Sequence, residues 1–414
     1  MDPHFPPEIW RNIFRFATFT EIPLQKLDWG PHSSSPKDAH RDLDPTLAYH
    51  SVQSALPTKK ALTLVSRSFR EMSLEHMFEL VELFRTRNAQ LLLDTIPPNT
   101  AVTDKGNSPT KWIKCIIVSL DYYQSTNELY LMDELLTKLL PFCTNLDAFG
   151  WKTLERVDSA EKIDRSITTL MESLPPTITT LEWLRYSPVQ AFHSLRNHTT
   201  LRNLRIADIS YMSPGESDVI IPSITHLDAR TRFTTIAASR WGLPSVSHVT
   251  LDWIESPVLA LFGNCRDTIR SIYFPDPWRC RSISDDFSRI LTSLPKLETF
   301  SYGITVNLFD PPRLASPWLG VARHPSLTHI YLFCRDGLNP EMRSFSTIRG
   351  FFSFQLQPLV NSHMMPLTIT IVDTGLIFER GDYREDGYDD GAKQRFFDDL
   401  SASLSSANIQ CIVK

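Results

Sequence analysis

Apolar residues recur along the middle of the chain with a period of about one strand plus one helix. The first apolar position of a recurring unit falls at Ile178, Leu201, Ile224, Val246 and Ile269, in steps of 23, 23, 22 and 23. Later copies open at Leu297, Leu327 and Leu367 after longer steps, and looser ones follow Lys111, Thr144 and Met365. Each unit reads as an amphipathic helix, a Leu-Pro-like turn and then L-x-x-L-x-L, as in PPTITTLEW from Pro175, TTLRNLRIA from Thr199 and PSLTHIYLF from Pro325. Two leucine-type residues one apart share one face of a strand. A single unit cannot bury that face, so neighbouring units must stack. Between the strands lie helical stretches such as LYLMDELLTKLL, PVQAFHSLRN and SDDFSRILTSL. The expected fold class is α/β: a short helical module, then an irregular solenoid of strand–helix coils with a parallel sheet.

The N-terminal segment has a different rhythm. Ile9, Trp10, Ile13, Phe14, Phe16 and Ala17 follow at three- and four-residue spacing, a wide helical stripe. Pro7 suits the first helical turn, where its missing N–H costs nothing, and Glu8 favours the positive helix start. A helix this short is not stable alone and needs partners. From Phe19 to Pro57 the periodicity is lost in a stretch rich in Pro, Ser, Asp and His, which reads as a loop insertion. A helical pattern returns over TKKALTLVSRSFREMSLEHMFELVEL, with Thr58 as its N-cap and one polar break at Ser66-Arg67-Ser68.

Phe5-Pro6-Pro7-Glu8-Ile9 with Ile13-Phe14 resembles the opening helix of an F-box. Ala61-Leu62-Thr63-Leu64-Val65-Ser66-Arg67-Ser68-Phe69-Arg70 and Leu74-Glu75-His76-Met77-Phe78 resemble its later helices. Phe5 stands for the usual Leu, Ser66 for Cys, Phe69 for Trp, and Met77-Phe78 for Leu-Trp, while the insertion at 19–57 parts the first helix from the second. The step near 23 lies in the leucine-rich-repeat range of roughly 20–29 residues, although the asparagine of well-formed repeats is missing. The whole is similar to the F-box proteins with leucine-rich repeats that are numerous in fungi. That resemblance implies a non-catalytic substrate-recognition subunit of an SCF-type ubiquitin ligase, partnered by the Skp adaptor and through it a cullin scaffold. It implies that Pro6, Pro7, Glu8, Ile9, Ile13 and Phe14 face the adaptor, with Leu62, Val65, Phe69, Leu74 and Phe78 completing that surface or its supporting core. The alternative is a repeat scaffold for protein interactions with no ligase role.

The organisation expected is a helical module over 1–84 with the insertion at 19–57, a linker over 85–110 and repeats over 111–378. An acidic loop over 379–391 and a helix–strand cap over 392–414 follow. If the register holds, residues beside each buried apolar pair point out on a concave face and contact the target protein. These are Glu182, Arg205, His226, Asp228, His248, Tyr273, His329 and Tyr331, with Asn203, Thr250 and Ser301 beside them. His226, His248 and His329 share one column without a third close ligand, so no metal site is expected there.

Composition narrows the rest. The 414 residues carry a net charge of −5, so there is no basic excess to bind a phosphate backbone, and nucleic acid is not an expected partner. Only 14 glycines leave few places for backbone to close on a phosphate or cofactor, and no cofactor is expected. The six cysteines form no C-x-x-C pair and suit reduced thiols, which with the absence of a signal-like start points to cytoplasm or nucleus. No apolar run approaches the ~18 residues of a membrane span. His4, His32, His40 and His50 lack metal-ligand spacing, and the sequon at Asn197 has no route to glycosylation. Asp373-Thr374-Gly375 has the form of an aspartic-protease motif, yet no second copy exists to share a proton, so a strand-ending turn is expected. The run ERGDYREDGYDDG does not fit an EF-hand loop. No nucleophile elbow, P-loop or metalloprotease motif occurs, and no enzymatic activity is expected.

Overall fold

A computed structural model of the chain describes residues 6–17, 56–96, 109–120, 125–152, 161–185, 187–206, 218–229, 241–251, 262–275, 283–306, 318, 324–336, 345–361, 367–373 and 390–413. They fall into two compact units divided between Ile224 and Thr225. Phe5, most of the 19–57 insertion and nearly all of the acidic run lie outside the described residues.

The first unit opens with α1 (Pro7–Ala17), α2 (residues 56–65) and α3 (Arg67–Phe78). Ser66 separates the last two, its hydroxyl accepting from Phe69 N at 3.1 Å as the N-cap of α3. The helical pattern was expected to run on through Leu83. Instead the chain turns extended at β1 (Leu80–Leu83), because the short apolar run LVEL pairs its backbone with the next strand. Helix α4 (Thr86–Asp94) follows inside the stretch expected as linker. Then come β2 (Cys115–Val118), α5 (Thr126–Leu139), β3 (Ala148–Trp151), α6 (Glu161–Glu172), β4 (Thr180–Trp183) and β5 (Asn203–Ile206), a 3-10 helix over Val189–Asn197 joining the last two. The strands β1 to β5 pair in sequence order, all parallel.

The second unit repeats the plan with β6 (His226–Ala229), β7 (His248–Leu251), β8 (Ser271–Phe274), α7 (Ile283–Ser293), β9 (Thr299–Val306), β10 (His329–Asp336), α8 (Phe345–Asn361), β11 (Leu367–Asp373), α9 (Asp390–Ser406) and β12 (Ile409–Val413). These strands also pair in order and in parallel. Asn408 makes the turn into β12 at φ 64, a left-handed position that asparagine tolerates. Order and parallelism make each unit a stack of strand–helix coils: an α/β repeat fold.

One sheet face supplies the core. In the first unit Phe149, Trp151, Leu181, Trp183, Leu204 and Ile206 are all buried, as are Leu129, Met132, Leu136 and Leu139 of α5. Each such side chain contributes roughly 1.5–3 kcal/mol on leaving water. Hydroxyls clamp one coil to the next at the punctuation. Thr177 Oγ1 donates to Leu146 O at 2.8 Å, Thr200 Oγ1 to Ile178 O at 2.8 Å, Ser223 Oγ to His198 O at 2.8 Å and Ser326 Oγ to Pro295 O at 2.8 Å. Each stands immediately before the first apolar residue of its unit.

Candidate functional site

The apolar stripe of α1 is wider than one neighbour can cover, and the fold divides it. Trp10 and Phe14 turn inward onto Phe69 of α3, with ring centroids 4.7 and 4.9 Å away. That leaves Ile9 42%, Ile13 41% and Phe16 87% exposed on α1, and Leu64 84% and Val65 62% exposed at the end of α2. Large apolar side chains left in water on short helices mark surface built for contact. Of the residues expected to face an adaptor, Pro6, Pro7, Glu8, Ile9, Ile13 and Val65 are exposed. Phe14 is buried, while Leu62, Phe69, Leu74 and Phe78 are half-buried and support the layer beneath. Phe16 and Leu64 are the most exposed of these apolar residues, Phe16 from the α1 stripe and Leu64 from the F-box-like stretch over 61–70.

The helices are fastened to the sheet at Glu79. Lys114 Nζ lies 2.7 Å from its Oε1, His76 Nδ1 lies 3.9 Å from its Oε2, and its backbone oxygen accepts from Lys114 N and Cys115 N. The neighbouring His76, and then Lys114, hold the Glu79 carboxyl down to about 2 against the opposing effect of burial. Burial lowers the pKa of Lys59 on α2, and the charge of Glu79 opposes that shift.

The sheet face opposite the apolar one was expected to meet solvent. In the first unit its register row runs Glu82, Ile117, Gly150, Glu182, Arg205. Glu182 and Arg205 are buried, not open to solvent, because they satisfy each other: Arg205 Nη1 donates to Glu182 Oε1 at 2.9 Å. Lys152 Nζ stands 3.6 Å from the other oxygen. Glu82, at the end of the row, has its carboxyl pushed up to about 7 by burial, which the charge of Lys152 only partly offsets.

In the second unit Asp228 and Tyr331 are likewise buried, and Tyr273 is half-buried against Phe333 at a centroid distance of 5.2 Å. His226 and His248 stack at 4.3 Å, nearly parallel, and each Nδ1 shares a hydrogen bond with the hydroxyl before it, Thr225 and Ser247, at 2.8 Å. Burial, then the neighbouring His248, lowers His226 to about 4. His329 lies further along the same row, beyond Ser271 and Thr299, with Nδ1 2.9 Å from Thr328 Oγ1. Among the described residues no group of three or more His, Cys, Asp or Glu gathers as metal ligands, and no helix is long and apolar enough to cross a membrane. Asp373 closes β11, and Thr374 and Gly375 lie outside the described residues.

A further cluster was not anticipated. Arg185, just past β4, donates to Asp133 Oδ1 of α5 at 2.6 Å, and Ser166 of α6 donates to Oδ2 at 2.6 Å. The guanidinium lies 4.7 Å from the Trp151 ring centre. The partners are 52 residues apart, and no local spacing joins them.

Strand order and register make the chain an α/β repeat protein that carries a cluster of short helices at its N-terminal end. No protein-family model and no curated protein matches it. Among solved structures it is similar to the leucine-rich repeat-containing protein LegL7 from Legionella pneumophila, at 12% identity and a TM-score of 0.34 over 67% of this chain and 97% of that one. The fold assignment rests on the strand pairing, not on that likeness.

Proposed function

We propose that the chain is a non-catalytic substrate-recognition subunit of an SCF-type ubiquitin ligase. The short helices dock on the Skp adaptor, which links the chain to a cullin scaffold, and the repeats hold a target protein. The observation that carries this reading is the exposure of Ile9, Ile13 and Phe16 on α1 and of Leu64 and Val65 on α2, with Trp10 and Phe14 packed against Phe69 behind the α1 residues. It occurs on the segment whose sequence resembles an F-box. The chain itself makes and breaks no bonds; it raises the local concentration of target lysines near the conjugating enzyme.

Co-purification of the full chain with the Skp adaptor tests the proposal. Retention by the intact chain, and loss on Ile9→Asp with Ile13→Asp, supports it. No retention by the intact chain removes the ligase role and leaves a repeat scaffold.

A further inference from the structure

Successive outer helices leave grooves between them, and two of these open into pockets of about 470 Å³. In the first unit, the groove between α5 and α6 consumes its own charge. Asp133 is held by Arg185 and Ser166, Glu134 pairs with Lys138 at 2.6 Å, and Arg165 is engaged as well.

In the second unit, the pocket between the helical turn at 262–265 and α7 is different. It is lined by Gly263, Arg266, Ser288, Arg289, Thr292 and Ser293, with no carboxylate among the described lining residues. Neither Arg266 nor Arg289 forms an ion pair or hydrogen bond among the described residues, whereas Arg270 lies 3.7 Å from Glu298 and donates to Lys296 O. Thr292 and Ser293 spend their hydroxyl hydrogens on the backbone oxygens of Ser288 and Ile290, while among the described residues the Ser288 hydroxyl makes no hydrogen bond. A Cβ built on Gly263 meets nothing within 4 Å, so the pocket has open space beside the arginines. Both guanidiniums are exposed at the pocket, and among the described residues no carboxylate pairs with either.

We propose that this pocket binds a phosphate group, with Arg266 and Arg289 as charged donors and Ser288 as a neutral one. Guanidinium forks match the oxygens of phosphate. A dianion balances two fixed positive charges, where a monocarboxylate leaves one unbalanced. The phosphate is either a free anion or the ester of a docked protein; the site and its chemistry are the same. This inference stands independently of any ligase role.

The test titrates the full chain at fixed ionic strength, since exposed charges are screened by salt. The probes are inorganic phosphate, a phosphoserine-containing peptide and acetate, followed by calorimetry or phosphorus NMR. Saturable binding of phosphate at least tenfold tighter than acetate is expected. Arg266→Ala and Arg289→Ala each weaken it tenfold or more with the melting temperature unchanged, and Gly263→Glu, which places a carboxylate in the open space, abolishes it. A peptide at least tenfold tighter than inorganic phosphate identifies a protein-borne ester as the ligand, and equal affinities identify the free anion. Phosphate binding no tighter than acetate, or binding indifferent to both arginine variants, overturns the proposal.

Discussion

Asp133 and Arg185 form a salt bridge of 2.6 Å that excludes water almost completely, with side-chain exposures of 0% and 1%. It ties α5 to the end of β4, with the guanidinium lying over Trp151. Two charges taken out of water are tolerable only while each has the other. Asp133→Ala strands Arg185 and is expected to cost about 3–5 kcal/mol. Replacing both partners, as Asp133→Leu with Arg185→Met, is expected to recover most of that loss. Urea unfolding of the two variants checks this, and equal destabilisation by single and double changes refutes it.

The N-terminal helices separate surface from support by residue. Ile9 and Val65 are exposed, so Ile9→Asp and Val65→Asp should alter folding stability by no more than about 0.5 kcal/mol. Phe14 is 1% exposed and sits edge-on to Phe69, so Phe14→Ala should cost about 3–5 kcal/mol. If the apolar layer is an adaptor surface, the first two variants lose adaptor binding while remaining folded. Thermal melts run beside pull-downs distinguish the two effects.

Two glutamates near the start of the sheet respond to pH in opposite directions. Glu79 is held at about 2, below its unfolded value near 4.5, so it stabilises the fold above pH 4.5 and loses that contribution as pH falls toward 2. Glu82 is raised to about 7, so its neutral form is favoured on folding. That advantage is full below pH 4.5 and is lost as pH rises through 7. Glu82 is only half-buried, and solvent screening limits its effect to about 1–2 kcal/mol. Glu82→Gln should therefore gain stability over the parent chain at pH 8 and none at pH 4.5, whereas Glu79→Gln should lose it at pH 8. Denaturation midpoints at the two pH values decide both.

The repeat was legible because its signal is local and periodic. Strands begin at Thr180, Asn203, His226, His248, Ser271, Thr299 and His329, each two residues after the first apolar position of its unit. The burial of Glu182 and Arg205 was not legible. Alternation of apolar and polar residues reads the same whether the polar set meets water or its own counter-charge across a strand gap. Leu80–Leu83 was misread for another reason: four residues of mixed apolar character fit the end of a helix as well as a strand, and only β2 decides. Asp133 with Arg185 depends on three-dimensional stacking of coils, which no spacing in the chain encodes. At α1, periodicity marked every apolar position without saying which of them Phe69 would cover.

A serine or threonine stands before the opening apolar residue of most units, as Thr177, Thr200, Ser223, Thr268 and Ser326 do, and gives the stacking its last test. Ser223 is buried and donates to His198 O, and Ser326 donates to Pro295 O, in each case reaching the turn of the preceding coil. Removing such a hydroxyl leaves a carbonyl of the neighbouring turn without that donor. Ser223→Ala should cost about 1–3 kcal/mol because the acceptor is buried with it, and Ser326→Ala, at a part-buried site, about 0.5–1.5 kcal/mol. Ser223→Thr retains the hydroxyl and should recover part of the loss. Thr268 marks the contrast: its hydroxyl bonds to Cys265 O within its own coil. Thr268→Ala should then loosen only the local turn and leave amide exchange in β7 unchanged. Hydrogen exchange across the neighbouring strands discriminates a clamp between coils from a turn within one.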